Sequence, residues 1–167
     1  MSTNKKQDTI VQLMRDFHEA MMTTRSLGGE LRARPMAIAK ISDNGRVYFA
    51  TDITSMKVDE VGQTPQVNVS FQSRSKFLSL SGVASVIHDS AIISEMWQAT
   101  WNIWFPDGKD DPRLCLLQVD ATRGEYWDMS GLKSIAYLWE AGVALLTGDT
   151  PSQVGDHGKV LWDSPAP

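Results

Sequence analysis

The tetrad Ser42-Asp43-Asn44-Gly45 constrains this chain more than any other stretch. Asn-Gly supplies the positive φ angles that a tight turn between two strands needs. Leu31 to Ile41 precedes it and Val47 to Thr51 follows it, and both read as strands. The three pieces together predict an antiparallel hairpin. Further on, Val67, Val69 and Phe71 alternate with Asn68, Ser70 and Gln72. That two-residue period belongs to a strand with one buried and one polar face. Phe77 to Ile87, Leu114 to Val119 and Arg123 to Met129 complete the expected strand set.

Helical spacing appears between the strands. Ile10, Met14, Phe17 and Met21 predict a first helix, with Asp8 or Thr9 as candidate caps and an end at Gly28-Gly29. Thr54 to Val61 reads as one short helix. Ala91 to Phe105 reads as a second long helix carrying the stripe Ile93, Trp97, Trp101 and Trp104, and Pro106-Asp107-Gly108 stops it. Core packing is the expected role of the tryptophan stripe. Leu132 to Leu146 reads as a last helix, ended by Gly148. The expected organisation is a single domain over 1–149 with a C-terminal tail over 150–167, loose or docked. Antiparallel hairpin signals among a few helices predict an α+β domain. A small closed barrel is one way to build it, and periodicity alone does not choose a barrel over a sandwich.

Composition narrows the function. At 167 residues, with 42% hydrophobic and 22% charged residues, the chain is long and apolar enough for one ordinary core. A net charge of -4 gives no general electrostatic reason to bind nucleic acid or an acidic membrane. The single cysteine, Cys115, lies in the apolar run Leu114 to Leu117, so a buried structural thiol is expected. No signal-peptide core follows Lys5 and Lys6, and no apolar run is long enough to span a bilayer, so a cytoplasmic protein is expected. The glycine signatures of dinucleotide and P-loop sites and the GxSxG elbow are absent. His18, His88 and His157 lack metal-ligand spacing, and no metal is expected. Asp59-Glu60 and Asp110-Asp111 read as solvated or capping charges rather than an acid–base pair.

Two segments carry a signal. Thr51-Asp52-Ile53-Thr54-Ser55-Met56-Lys57 joins a strand to the short helix. Thr54 and Ser55 are good N-cap residues, which explains both hydroxyls without a ligand. It does not explain Lys57, because a cation in the first helical turn opposes the helix dipole. An anion bound there reverses the sign, and free backbone N–H groups, hydroxyls and an ammonium make a phosphate seat. In Arg32-Ala33-Arg34-Pro35-Met36, two arginines at i and i+2 share one strand face and repel unless solvated or shared with an anion. Pro35 cannot donate a ladder hydrogen bond, so this part of the strand belongs at an edge, an end or a bulge. Gln72 ends the alternating strand on its polar face, where its amide could read a ring carbonyl or nitrogen.

Taken in order, Arg34-Pro35-Met36, Asp43-Asn44-Gly45, Phe49-Ala50-Thr51-Asp52 and Ser55-Met56-Lys57 resemble a known family. Asn68 to Gln72, Leu78 to Gly82, Trp104-Phe105-Pro106, Asp111 to Leu114 and Glu125 to Asp128 extend the likeness. The chain resembles the general stress protein branch of the pyridoxamine 5'-phosphate oxidase-like, FMN-binding split barrels. The resemblance runs from about Gly29 to Asp128. It implies an antiparallel split β-barrel with flanking helices, working as a homodimer with flavin at the subunit interface. It implies FMN, or FAD, as cofactor, with the second substrate unknown. Arg34, Pro35 and Met36 would line the isoalloxazine edge, largely through backbone. Thr51 and Asp52 would flank the ring and ribityl chain, Ser55 and Lys57 would hold the phosphate, and Gln72 would contact the flavin. Trp127 would come from the neighbouring subunit, with core or dimer packing as its other reading. Two departures count against pyridoxamine phosphate oxidation itself. The phosphate turn has Met56 where the oxidases carry arginine, and the chain ends Trp162 to Pro167 with no arginine. The family likeness therefore leaves a flavin-dependent redox protein or a non-catalytic flavin carrier or sensor.

Overall fold

A computed structural model describes residues 3–130 and 156–162. The helix expected over Leu132 to Leu146 lies outside the described residues. Seven strands run in the order β1 Glu19–Arg25, β2 Leu31–Ile41, β3 Val47–Asp52, β4 Gln66–Gln72, β5 Lys76–Ile87, β6 Leu114–Asp128 and β7 Asp156–Leu161. They form one sheet in the order β3-β2-β1-β4-β5-β6-β7. A further pairing of β3 with β6 closes six of them into a barrel, and every pairing is antiparallel. The expected split β-barrel with flanking helices is the observed fold.

The predicted hairpin forms, but Gly45 alone supplies positive φ in the turn and Asn44 does not. Gly45 adopts φ +83°, and the Ser42 N–H donates to the Arg46 carbonyl at 3.0 Å. Val67, Val69 and Phe71 point into the barrel as the alternation requires. They pack with Met22, Phe49, Leu80 and Leu117, and α1 (Thr3–Met14) closes the core with Ile10 and Met14. A second apolar cluster lies on the other face of β6, because Leu114 and Leu116 alternate with Cys115 and Leu117. There Leu114 and Leu116 meet Ile93, Trp101 and Phe105. Among the described residues no helix is long and apolar enough to cross a membrane.

Four expectations about elements need correction. The first helix stops at Met14, and Asp8 and Thr9 lie inside it instead of capping it. Glu19–Arg25 is a strand in which Ala20, Met22 and Thr24 are buried, so a two-residue period overrides the helical spacing that ends on Met21. The second long helix is α3, Ser90–Met96, followed by a separate 3-10 turn, Ala99–Ile103. Trp97 breaks it with extended backbone (φ −55°, ψ 134°), and Gln98 reaches back to donate to the Ala39 carbonyl at 3.1 Å. The two strands expected after Leu114 are one. Thr122 is an extra residue against β5, a bulge that bends β6 without ending it.

The bend lets β6 serve two partners on one edge. Its first part, Leu114 to Val119, pairs with β3; its second, Arg123 to Asp128, pairs with β7. Residues 156–161 of the aperiodic tail are thus docked, covering a strand edge that would otherwise be open for association.

Candidate functional site

The candidate site follows from where two strands part. β2 pairs with β3 only through Ile38, Lys40 and Ile41. Residues 31–37 pair with β1 on their other side, while Ala50, Thr51 and Asp52 pair with β6. The facing edges of 35–37 and 50–52 are therefore free of each other. A cavity of about 410 Å³ occupies this cleft, lined by Pro35, Met36 and Ala37, by Ala50, Thr51 and Asp52, and by Lys57. Trp101, Trp104 and Phe105 form its remaining wall. The irregular edge expected at Pro35 is this cleft.

The Thr51 to Lys57 turn forms the polar end. α2 spans Met56–Gln63, and Ser55 holds the N-cap position with extended backbone. Its side chain makes no capping bond. The Ser55 Oγ is buried and has no hydrogen-bond partner, the one such side-chain atom among the described residues. A buried hydroxyl left unpaired costs about 1–3 kcal/mol. Thr54 does not cap the helix either, since its Oγ1 donates to the Asp52 carboxylate at 2.7 Å. The capping explanation for the two hydroxyls therefore fails in both cases.

Charges sharpen the picture. Asp52 accepts from the Thr54 hydroxyl and from the Thr54 N–H at 2.8 Å, which hold its carboxyl below the ordinary range, and Arg113 stands 3.6 Å away. Burial, and then the nearby Arg34 guanidinium, push the Lys57 ammonium below its ordinary pKa. Among the described residues Lys57 forms no ion pair within 4 Å. The helix start thus gathers a partly desolvated cation, a second cation behind it and a hydroxyl without a partner. Each of the three is improved by an anion at that point.

Arg34 does not line the cavity with its side chain. Its guanidinium donates to the Thr24 Oγ1 at 2.6 Å and to Glu60 at 3.0 Å, and Arg32 donates to the same carboxylate at 3.0 Å. The anion shared by the two arginines is thus Glu60, a buried residue of α2. Glu60 is not the solvated or capping charge expected of it. Thr51, Asp52, Pro35, Met36 and Lys57 converge on one cavity; Ser55 does not line it and lies two residues before Lys57, at the N-cap of α2. Gln72 and Trp127 lie outside it. Gln72 pairs with Phe77, Phe77 with Trp127 and Trp127 with His157, a row across β4 to β7. Trp127 is exposed and stacks on His157 with ring centroids 5.2 Å apart.

Reading the sequence missed the wall opposite the strands. Trp101 is buried, as expected of the stripe, with Trp97 edge-on against it at 5.5 Å. Trp104 faces the cavity and stays exposed. Arg113 fixes this wall by pairing with the buried Asp111 at 3.3 Å and reaching the Trp104 carbonyl at 3.5 Å. The Asp111-Pro112-Arg113 motif carried that signal, but its contacts join elements that sequence separates. Cys115 sits behind the site, its thiol pushed up to about 11 by burial and then by Asp52, which makes it a poor nucleophile.

A closed barrel whose β2 and β3 diverge around a cavity with a cationic, N-terminal helix end defines a split-barrel protein, and the charge at that end suits an anionic ligand. The sequence matches the family model described as pyridoxamine 5'-phosphate oxidase like over residues 5–152, and the chain belongs to that family. It is 30% identical over 119 residues to protein bli-3 of Neurospora crassa, a match covering 64% of this chain and 57% of that protein's length. It is 23% identical over 110 residues to general stress protein 26 of Bacillus subtilis, covering 63% of this chain and 76% of that one. The crystal structure of the general stress FMN/FAD binding protein from Xanthomonas citri superposes with a TM-score of 0.65 at 26% identity, covering 76% and 91% of the two chains.

Proposed function

We propose that this chain is a general stress flavoprotein that holds FMN, and admits FAD, in the cleft between β2 and β3. The phosphate sits at Ser55 and Lys57, and the ring system lies along Pro35, Met36 and Thr51. The observation that carries this reading is the buried Ser55 Oγ without a partner beside a partly desolvated Lys57. The Xanthomonas citri relative, described as FMN/FAD binding, and the general stress protein of Bacillus subtilis supply the class of ligand and the setting. When bound, the flavin supplies the redox chemistry; the protein supplies position, polarity and access. The buried, unreactive Cys115 is consistent with work in the cytoplasm.

The working form is a homodimer. Two cross-strand rows, Pro35–Met21–Ser70–Ser79 and Ala33–Thr23–Asn68–Ser81, cover the centre of the outer face of four strands without a charge, and Glu19, Arg25, Arg123 and Glu125 stand at its rim. An uncharged centre with a charged rim favours contact with a second copy, where buried charges would be costly. Pro35 belongs to this face and to the cavity, so flavin would lie beside the subunit boundary, where the partner's own Gln72 and Trp127 row could approach it.

The second reading, a flavin carrier or sensor without turnover, is favoured by Asp52. It is the one carboxylate lining the cavity, and it is engaged by Thr54 and Arg113, leaving no free carboxylate there to act as acid or base. Steady-state turnover with NADH or NADPH favours the enzyme; tight flavin binding without turnover from any donor favours the carrier. The site itself is tested by Lys57→Ala. A charge-assisted contact is worth roughly 1.5–3 kcal/mol. The variant should lose about ten- to hundredfold in FMN affinity and little in riboflavin affinity. Equal loss for both ligands would remove Lys57 from the phosphate.

A further inference from the structure

We propose that Trp104 is the aromatic plate of this site, a specificity-determining side chain that stacks on the ligand's ring system; the inference rests on the flavin reading above. Three observations carry it. First, Trp104 lines the cavity yet is 59% exposed, whereas its neighbours Trp101 and Phe105 are 3% and 5% exposed and fill the cluster beneath. Trp104 belongs to neither buried cluster, so packing of the fold does not account for it. A large indole left in solvent beside a cavity marks a surface for something planar and apolar.

Second, the backbone that carries the plate is held in place. The Trp104 and Phe105 N–H groups both donate to the Trp101 carbonyl, at 3.0 and 2.9 Å. Arg113 joins the Trp104 carbonyl to Asp111 and Asp52, tying this wall to the end of β3. Little backbone ordering is then left to be done on binding, which favours affinity. Third, chemistry is segregated within the cleft. Lys57 and Ser55 lie at the helix start, while Trp104, Phe105, Met36 and Pro35 supply apolar surface. That division suits a ligand with an anionic tail and a flat, weakly polar ring. Trp104 acts on the ring alone and Lys57 on the tail alone.

The test titrates FMN and riboflavin into the stripped wild type, Trp104→Ala and Trp104→Phe while following flavin fluorescence. Stacking on an aromatic side chain is worth roughly 1–3 kcal/mol per ring by alanine substitution. Trp104→Ala should therefore weaken both flavins, by about tenfold, unlike the tail-selective effect of Lys57→Ala. Trp104→Phe should restore most of the affinity. Its bound flavin should also emit more strongly, because a stacked indole quenches an excited flavin by reversible electron donation and a phenyl ring does not. A merely structural role for Trp104 would not give that split between affinity and emission. Wild-type affinity and quenching in both variants would overturn the proposal while leaving the flavin site standing. Absence of flavin binding by the wild type would overturn both.

Discussion

Glu60 joins the site to the stability of the chain. Burial alone would raise its pKa, but the Thr24 hydroxyl at 2.5 Å and the guanidinium groups of Arg34 and Arg32 outweigh burial and leave it lowered. A carboxylate with a lowered folded pKa contributes stability in full above its unfolded value, and that contribution is lost as pH falls through the folded one. Asp52 and Asp111 shift in the same direction, through bonds from Thr54 and from the Arg113 backbone respectively. Stability should thus hold near neutrality and fall below about pH 4.5, close to the ordinary carboxylate value. Glu60→Ala should cost about 2–3 kcal/mol at pH 7 by urea unfolding, less than a fully buried pair because Arg32 and Arg34 retain access to water. The gap from wild type should narrow by pH 3; a gap independent of pH would place the role of Glu60 in packing alone. Sequence made the crowding of Arg32 and Arg34 legible, but not its resolution. Their partner lies 26 and 28 residues away, on an element whose acidic pair looks solvated until α2 is docked.

At the scale of elements, period was a good guide wherever one face met the core and the other met water. The Asn44-Gly45 hairpin, β4 and β5 were legible for that reason. β1 was not, because Met14, Phe17 and Met21 fit a helical spacing while Ala20, Met22 and Thr24 fit a strand, and only the pairing with β2 and β4 decides. β7 carried almost no apolar signal. Its inward positions are Gly158 and Val160, and Gly158 is small because the Tyr126 ring occupies the place a side chain would take. The cleft is partly local: Pro35 marks an irregular edge in β2, but only the pairing shows that β3 leaves β2 beyond Ile38 and opens a cavity there. The β6 bulge depends on a close approach that can be tested. A Cβ on Gly82 would fall well inside contact with the Asp120 carbonyl oxygen, beside the extra residue Thr122. Gly82→Ala should destabilise by about 1–3 kcal/mol, the usual range for overpacking, read from the urea midpoint. An unchanged midpoint would mean that the bulge relaxes freely.

At the scale of the whole molecule, barrel, cleft and the uncharged centre of the outer face share β2. One strand pairs with β1, opens the cavity beside β3 and presents Ala33 and Pro35 outward. In the proposed dimer, ligand site and subunit contact are neighbours, and charge on the face should act on assembly. Ser70→Lys places like charges near the centre of that face, and sedimentation should report a dimer for the wild type and a monomer for the variant. A Ser70→Lys dimer of wild-type stability would move the interface elsewhere. The central claim is that the β2–β3 cleft holds a flavin by its phosphate. Titration of flavin-stripped protein with FMN, followed by flavin fluorescence, tests it most directly. Saturable binding of one FMN per subunit, tighter than that of riboflavin, is the expected result. No saturable binding at micromolar FMN would contradict it.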